Sequence, residues 1–136
     1  MKVLVDTSVW SLALRRRSPL RHDAVAEELE RLIITYRVLM IGPIRQQLLS
    51  GIRSDEQYQG LRDRLRAFQD LLLQTEDYEL AARFFNECRS RGVQGSNPDF
   101  LICAIAARRD GCVFSPDRDF EAFEQILKVR RHRAGE

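Results

Sequence analysis

The hydrophobic pattern of this chain changes repeatedly between short apolar runs and longer stretches with helical spacing. Short apolar runs bounded by polar or turn residues predict buried strands, whereas apolar positions three or four residues apart predict amphipathic helices. Strands are therefore predicted at 2–5, 38–41, 71–74 and 112–114, with a short last strand at 126–129. Helices are predicted at 8–16, 23–36, 42–49, 55–68, 77–91, 98–110 and 116–125.

The alternation of strands and helices predicts an α/β fold. Its central sheet is expected to be mostly parallel, with four to five strands, and to be flanked by helices on both faces. The helix at 98–110 is almost entirely apolar and rich in alanine, so we expect it to be central. A chain of 136 residues without repeats or linkers is expected to form a single domain over 1–136.

Composition narrows the class of protein. The chain is 44% hydrophobic and 31% charged, which is typical of a globular protein. No apolar run approaches the roughly 18 residues needed to span a bilayer, and the stretch after Lys2 is too short for a signal peptide. The three cysteines form no C-x-x-C pair. We therefore expect a soluble, cytoplasmic protein with reduced thiols.

Positive charge is carried almost entirely by arginine, although the formal net charge is only +2. Arginines cluster at 15–17, 62–66, 108–109 and 130–133. The planar guanidinium group suits phosphate oxygens, but taken alone such clusters are more often solvated helix faces. These clusters become candidates for phosphate binding only if they lie beside an acidic site.

Three aspartates occupy positions suited to chemistry. Asp6 follows the first predicted strand, Asp117 follows the strand at 112–114, and Asp99 begins the apolar helix. If those two strands are neighbours, Asp6 and Asp117 leave the same edge of the sheet, where ligands bind in open α/β folds, and Asp99 projects between them.

Each aspartate alone is more often a helix cap than a ligand. Three converging carboxylates, however, repel one another and need a counter-charge. Oxygen ligands without paired histidines or cysteines favour Mg²⁺, with Mn²⁺ as a substitute, over zinc.

Three sequence blocks resemble the PIN-domain ribonucleases, and most closely the VapC toxins of bacterial toxin–antitoxin pairs. The blocks are VLVDTSVW at 3–10, NPDFLICA at 97–104 and FSPDRDF at 114–120. The resemblance implies a Mg²⁺-dependent endoribonuclease toxin that cuts structured RNA, such as tRNA or ribosomal RNA. It also implies a homodimer and a cognate antitoxin whose C-terminal segment lies in an apolar groove around the early helices.

The resemblance further implies a quartet of acids, of which Asp6, Asp99 and Asp117 match three. The fourth is a glutamate in the pattern Glu-Leu-Leu-x-Gly, but this chain reads QLLSG at 47–51. Helical spacing places Gln47 on the inward face with Ile44 and Leu48.

Gln47 keeps the shape of glutamate without its charge. At an effective dielectric of about 20 and a separation of about 4 Å, the missing charge is worth a few kcal/mol at most, or roughly two to three decades of metal affinity. Activity should be weakened or absent. Gln47 is either a natural divergence or a substitution introduced so that a toxic nuclease can be produced, and the three intact aspartates favour the second explanation.

Several neighbouring residues are secondary candidates. Thr7 and Ser115 either orient a metal-bound water or cap helices, and we favour capping. Asp119 is either an additional metal ligand or a favourable charge in a first helical turn. Neither His22 nor His132 has the spacing of a metal ligand. The arginines expected to contact RNA phosphates are Arg15, Arg16, Arg17 and Arg118.

Two other classes of function stay open. One is another metal-dependent phosphoesterase, either a phosphatase or a flap-type DNA nuclease, although this short chain has little space for the added modules of the latter. The other is a non-catalytic RNA-binding or partner-binding module, which Gln47 supports.

Overall fold

A computed structural model describes residues 1–15 and 23–136. The described residues contain strands β1 (Val3–Val5), β2 (Val38–Leu39) and β3 (Cys112–Phe114). Their helices are α1 (Thr7–Arg15), α2 (Ala24–Ile34), α3 (Gly42–Leu49), α4 (Asp55–Leu65), α5 (Thr75–Ser90), α6 (Asn97–Arg108) and α7 (Asp119–Leu127). Among these helices, none is long and apolar enough to cross a membrane.

The sheet is parallel, with strand order β2-β1-β3. Val3 pairs with both Val38 and Cys112, and Val5 pairs with Phe114. The side chains of β1 are completely buried, because helices cover the sheet on both faces, which explains a strand without alternating polar residues. The carboxyl ends of β1 and β3 therefore lie side by side.

The expected four to five strands are wrong for the described residues, which form three. Residues 71–74 follow a single bridge between Met40 and Asp70, and Leu72 is 85% exposed, so this segment forms no ladder with any strand of the described residues. At the other end, α7 continues through Leu127, and the chain then makes an isolated bridge between Val113 and Arg131. Apolar composition marked both segments as strands, but a ladder also requires a neighbouring backbone over several residues.

Most helix positions match the predicted ones, with differences at the ends. The helix predicted from 116 begins instead at Asp119, because residues 115–117 form a loop after β3. The predicted central helix is confirmed: α6 is buried from Phe100 to Ala106 and packs against α5 and the sheet. Gly111 permits the close approach of β3 to β1, since a Cβ there would lie 2.9 Å from the Lys2 carbonyl oxygen.

Two buried acids are neutralised by cations of the chain. The Asp77 carboxylate is completely buried and accepts hydrogen bonds from Arg108 and Arg109, at 2.7 Å each. The Glu28 carboxylate accepts hydrogen bonds from Arg31, at 2.7 and 2.9 Å, and lies 2.6 Å from His132 Nε2. These contacts tie α5 to the end of α6, and α2 to the C-terminal segment.

The three cysteines are buried free thiols, as the expectation of reduced cysteines requires. Burial raises the pKa of the Cys103 thiol far above its ordinary value, with a smaller contribution from the charge of Asp99. The thiols are thus small apolar side chains of the core.

Candidate functional site

Asp6 lies where β1 ends and α1 begins. Its side chain is 9% exposed, and both carboxylate oxygens are occupied by neutral donors. The Thr7 backbone N–H donates to Oδ1 at 2.8 Å, and the hydroxyls of Ser8 and Ser115 donate to Oδ2 at 2.8 and 2.9 Å. Ser115 follows β3, so its bond to Asp6 joins the ends of the two neighbouring strands. These donors fix the orientation of the carboxylate without neutralising its charge.

Asp99 lies in the first turn of α6 and is partly buried. Its carboxylate accepts a hydrogen bond from the Ser96 backbone N–H at 3.2 Å, while the Ser96 hydroxyl accepts one from the Asp99 N–H. Burial raises the pKa of the Asp99 carboxyl above its ordinary value, and the negative charges of Asp6 and Asp117 raise it further. The bonds from Ser96 act in the opposite direction. Asp99 therefore caps its helix and also lies within the electrostatic reach of the other two acids.

Asp117 is exposed in the loop between β3 and α7. Its Oδ1 accepts a hydrogen bond from the Asp119 N–H, and its own N–H donates to the Ser115 hydroxyl, each at 3.0 Å. Ser115 thus contacts both Asp6 and the Asp117 backbone. Asp119 begins α7 and is exposed, with its backbone rather than its carboxylate bound to Asp117.

Gln47 lies on α3 between the buried side chains of Ile44 and Leu48, but its own side chain is exposed. Its Oε1 accepts a hydrogen bond from the Thr7 hydroxyl at 3.0 Å. Gln47 is thereby connected to the residue that follows Asp6, and the region containing Asp6, Gln47, Asp99 and Asp117 is named the carboxyl edge below.

The donor chemistry of the carboxyl edge fits a hard divalent cation, since all of its charged groups are carboxylates. No ion pair within residues 1–15 and 23–136 involves Asp6, Asp99 or Asp117. The same residues contain no group of three acidic, histidine or cysteine side chains already arranged as a metal cage. The oxygen donors are thus of the right type, without a preformed three-carboxylate cage.

The arginines expected to contact RNA are placed unevenly. Arg118 is exposed beside Asp117. Arg15 ends α1, whereas Arg16 and Arg17 lie outside the described residues, as does His22. His132 is a buried structural partner of Glu28.

Two concave surfaces adjoin the early helices. An apolar groove of about 340 Å³ lies between α1, α2 and the end of α4. We define this apolar groove by its apolar floor, Trp10, Leu14, Leu29, Ile33 and Phe68; three charged residues, Glu27, Glu30 and Arg64, also belong to its wall. A second cleft of about 610 Å³ lies between α1, α3 and α4 and includes Gln47 in its wall. We define this polar cleft by Ser11, Gln47, Arg53, Gln57, Gly60 and Arg64.

The hydrogen bonds of two hydroxyl groups at the carboxyl edge were not predicted from the sequence. Ser8 binds Asp6 and Ser96 caps α6. A signal existed for the second, because the spacing Ser96-x-x-Asp99 before an apolar run is a capping-box pattern. The role of Ser8 carried no such signal, since a hydroxyl two residues after an acid is common in first helical turns.

Residues 3–125 match the PIN domain family, so this chain belongs to that family. No curated protein matches the sequence at a significant level.

The fold is similar to several solved structures. FitAcB from Neisseria gonorrhoeae is 21% identical, with a TM-score of 0.76 over 97% of each chain. VapBC2 from Rickettsia felis, bound to a DNA fragment from its promoter, is 17% identical, with a TM-score of 0.77 over 97% of this chain and 98% of that one. A toxin–antitoxin complex from Klebsiella pneumoniae is 16% identical, with a TM-score of 0.64 over 88% of this chain and 90% of that one.

Proposed function

We propose that this chain is a VapC-type toxin, a divalent-metal-dependent endoribonuclease whose activity is weakened or lost through Gln47. Membership of the PIN family and the likeness to VapBC and toxin–antitoxin complexes support this class. The observation that carries the proposal is the arrangement of three acids: Asp6 and Asp117 follow the paired strands β1 and β3 and share contacts with Ser115, and Asp99 lies close enough for their charges to act on its carboxyl group. Such a group of acids is stabilised by a cation from outside the chain.

Asp6, Asp99 and Asp117 are the proposed ligands of Mg²⁺, with Mn²⁺ as a substitute. A bound divalent ion supplies an activated water and neutralises charge on a phosphodiester. The chain's own contribution is orientation, because Ser8, Ser115 and the Thr7 N–H hold the Asp6 carboxylate in one position. Ser96 does the same for Asp99.

Gln47 is proposed to be the position where the site is incomplete. Its amide oxygen accepts from Thr7, as a glutamate oxygen would, so the geometry tolerates either side chain. Only the negative charge differs, which lowers metal affinity by roughly two to three decades at an effective dielectric of about 20.

The proposed substrate is structured RNA, such as tRNA or ribosomal RNA. Its phosphates would be repelled by the aspartates, so cationic side chains are needed nearby. Arg118 is exposed next to Asp117 and is the candidate supported by its position.

The proposed protein partners are a cognate antitoxin and a second copy of this chain. The apolar groove supports the first, because Leu14, Ile33 and Phe68 line it and amphipathic helices bind with their apolar face in such grooves. Only the family resemblance supports the homodimer. Sedimentation equilibrium of the purified chain tests it.

The decisive experiment restores the missing charge. Gln47→Glu protein is expected to cleave total RNA in Mg²⁺ or Mn²⁺ at least about a hundredfold faster than the Gln47 chain, given the affinity difference above. The double variant Gln47→Glu, Asp6→Ala should abolish cleavage, and gel electrophoresis of the RNA measures both. Absence of cleavage by Gln47→Glu protein would contradict the nuclease assignment.

A non-catalytic binding module is the second candidate, and the uncharged Gln47 is the observation that favours it. RNA binding by the native chain without any cleavage by Gln47→Glu protein would support this candidate. Release of phosphate from a small phosphate ester would instead indicate a phosphatase.

A further inference from the structure

We propose that the polar cleft binds one unpaired nucleotide of the RNA next to the carboxyl edge, and that Gly60 keeps this subsite open. The inference rests on the proposed function, because it assigns part of the same substrate. Gln47 connects the cleft to the carboxyl edge, because it lines the cleft and its Oε1 accepts a hydrogen bond from the Thr7 hydroxyl beside Asp6. A nucleotide in the cleft would therefore lie beside the proposed reaction centre.

The chemistry of the cleft suits a nucleotide. Arg53 and Arg64 are both exposed, and neither forms an ion pair within the described part of the chain. No acidic residue is among the described residues that line the cleft. Leu48, Ile52 and Leu61 supply an apolar surface for a base. Guanidinium groups contact phosphates, and the plane of an arginine can also stack on an unpaired base.

The same features disfavour an apolar peptide as the occupant. The polar cleft is lined by side chains such as Ser11, Gln57 and Arg53, whereas the neighbouring apolar groove, which shares Arg64, offers Ile33 and Phe68. An apolar helix face would bury the arginine charges of the polar cleft without partners, at a cost in free energy.

Nothing in the described part of the chain requires glycine at position 60. It lies inside α4, where glycine destabilises a helix by roughly 0.5–1 kcal/mol relative to alanine. A Cβ added at Gly60 would meet no atom of residues 1–15 and 23–136 within 4 Å, so no neighbour in that part of the chain excludes a side chain. Its φ is also outside the left-handed region that favours glycine. Gly60 does line the cleft, where a side chain would occupy the space of the bound nucleotide.

The test measures binding of a short fluorescein-labelled single-stranded RNA of mixed sequence to the full chain, by anisotropy in buffer without divalent cations. Gly60→Tyr should weaken binding at least about fivefold, because its ring would displace one base from the apolar side chains of the cleft. Gly60→Ala should weaken binding less than Gly60→Tyr does and raise the melting temperature. Ala82→Tyr adds the same ring at an exposed position of α5, outside the described lining of the cleft, and is the matched control with unchanged affinity.

A charge test is independent of the steric one. Arg53→Gln should lower affinity and reduce the slope of log affinity against log salt by roughly 0.7, the value for one phosphate contact on a single strand. Arg83→Gln, at an exposed arginine of α5, should leave both unchanged. Circular dichroism confirms that each variant is folded.

The outcomes separate this inference from the proposed function. If the native chain binds RNA, and Gly60→Tyr and Arg53→Gln bind it equally well, the inference is overturned while the nuclease assignment stands. It is also overturned if Gly60→Tyr weakens only the binding of an apolar helical peptide. If the native chain binds no RNA and Gln47→Glu protein cleaves none, the proposed function fails, and the inference fails with it.

Discussion

Asp77 and Asp99 occupy the same position in two helices, yet the pKa values of their carboxyl groups are shifted in opposite directions. Each lies in a first helical turn and accepts a hydrogen bond from the backbone N–H three residues earlier, from Gln74 or from Ser96. The Arg109 guanidinium, with Arg108, holds the pKa of Asp77 well below its usual range. Burial and the charges of Asp6 and Asp117 raise the pKa of Asp99.

A structural acid and a candidate metal ligand thus differ in the charges that surround them. At Asp77 the chain supplies its own cations, so the negative charge stabilises the fold. At Asp99 it supplies neutral donors and further negative charge, so the fold carries an electrostatic cost that an external cation would remove.

The largest expected effect comes from neutralising the structural acid. Asp77→Asn should lower the free energy of unfolding by about 3–5 kcal/mol, because it leaves two arginines facing a buried site without a counter-charge. Urea unfolding at neutral pH measures the loss. Asp99→Asn is the matched control, since it makes the same change at the same helical position, and it should alter metal-free stability by less than about 1 kcal/mol. Similar losses in the two variants would contradict the comparison.

Glu28 is a second buried acid paired with a cation, and its lowered pKa predicts how the stability of the protein depends on pH. Hydrogen bonds from Arg31, with smaller contributions from His132 and Gly135, lower the pKa of Glu28 from 4.5 to about 2. A carboxyl group whose pKa is lower in the folded state stabilises the protein at pH values above its ordinary pKa. This contribution is lost as the pH falls from 4.5 towards about 2. Glu28→Gln should therefore lose about 2–3 kcal/mol at pH 7 and show a shallower decline below pH 4.5.

Urea unfolding of both proteins across that pH range measures the Glu28 effect. The difference in stability between native protein and Glu28→Gln should shrink steadily as the pH falls. A difference that stays constant with pH would show that the carboxylate charge of Glu28 does not stabilise the fold.

The smallest expected effect concerns the carboxyl edge itself. Mn²⁺ at about ten times its dissociation constant should stabilise the native chain by about 1.4 kcal/mol, because the cation binds the folded state. Thermal unfolding should then show a rise of a few degrees, which Asp99→Asn removes. Glu79→Gln, at an exposed acid on α5, should keep the rise. Stabilisation that survives in Asp99→Asn would place the cation elsewhere.

Sequence patterns predicted the regular elements because those depend on local spacing. The apolar runs that became β1 and β3 and the alanine-rich α6 were visible without tertiary information. The segments at 71–74 and 126–129 were wrong as strands, because pairing depends on which backbone lies alongside. The contacts of Asp77 and Glu28 were not predicted for the same reason. Folding brings Arg109 to Asp77 and His132 to Glu28 from distant parts of the chain.

The sequence alone named Asp6, Asp99 and Asp117 as candidate site residues from their places at the ends of predicted strands and a helix, and the resemblance to the PIN-domain ribonucleases added Gln47. Only the tertiary structure decided their environments: the bond between Thr7 and Gln47, the two serine donors on Asp6, and the raised pKa of Asp99. The physical reason is that a carboxylate's charge state depends on burial and on neighbouring charges. Identical local motifs at Asp77 and Asp99 acquired opposite electrostatics because folding placed arginines beside one and aspartates beside the other.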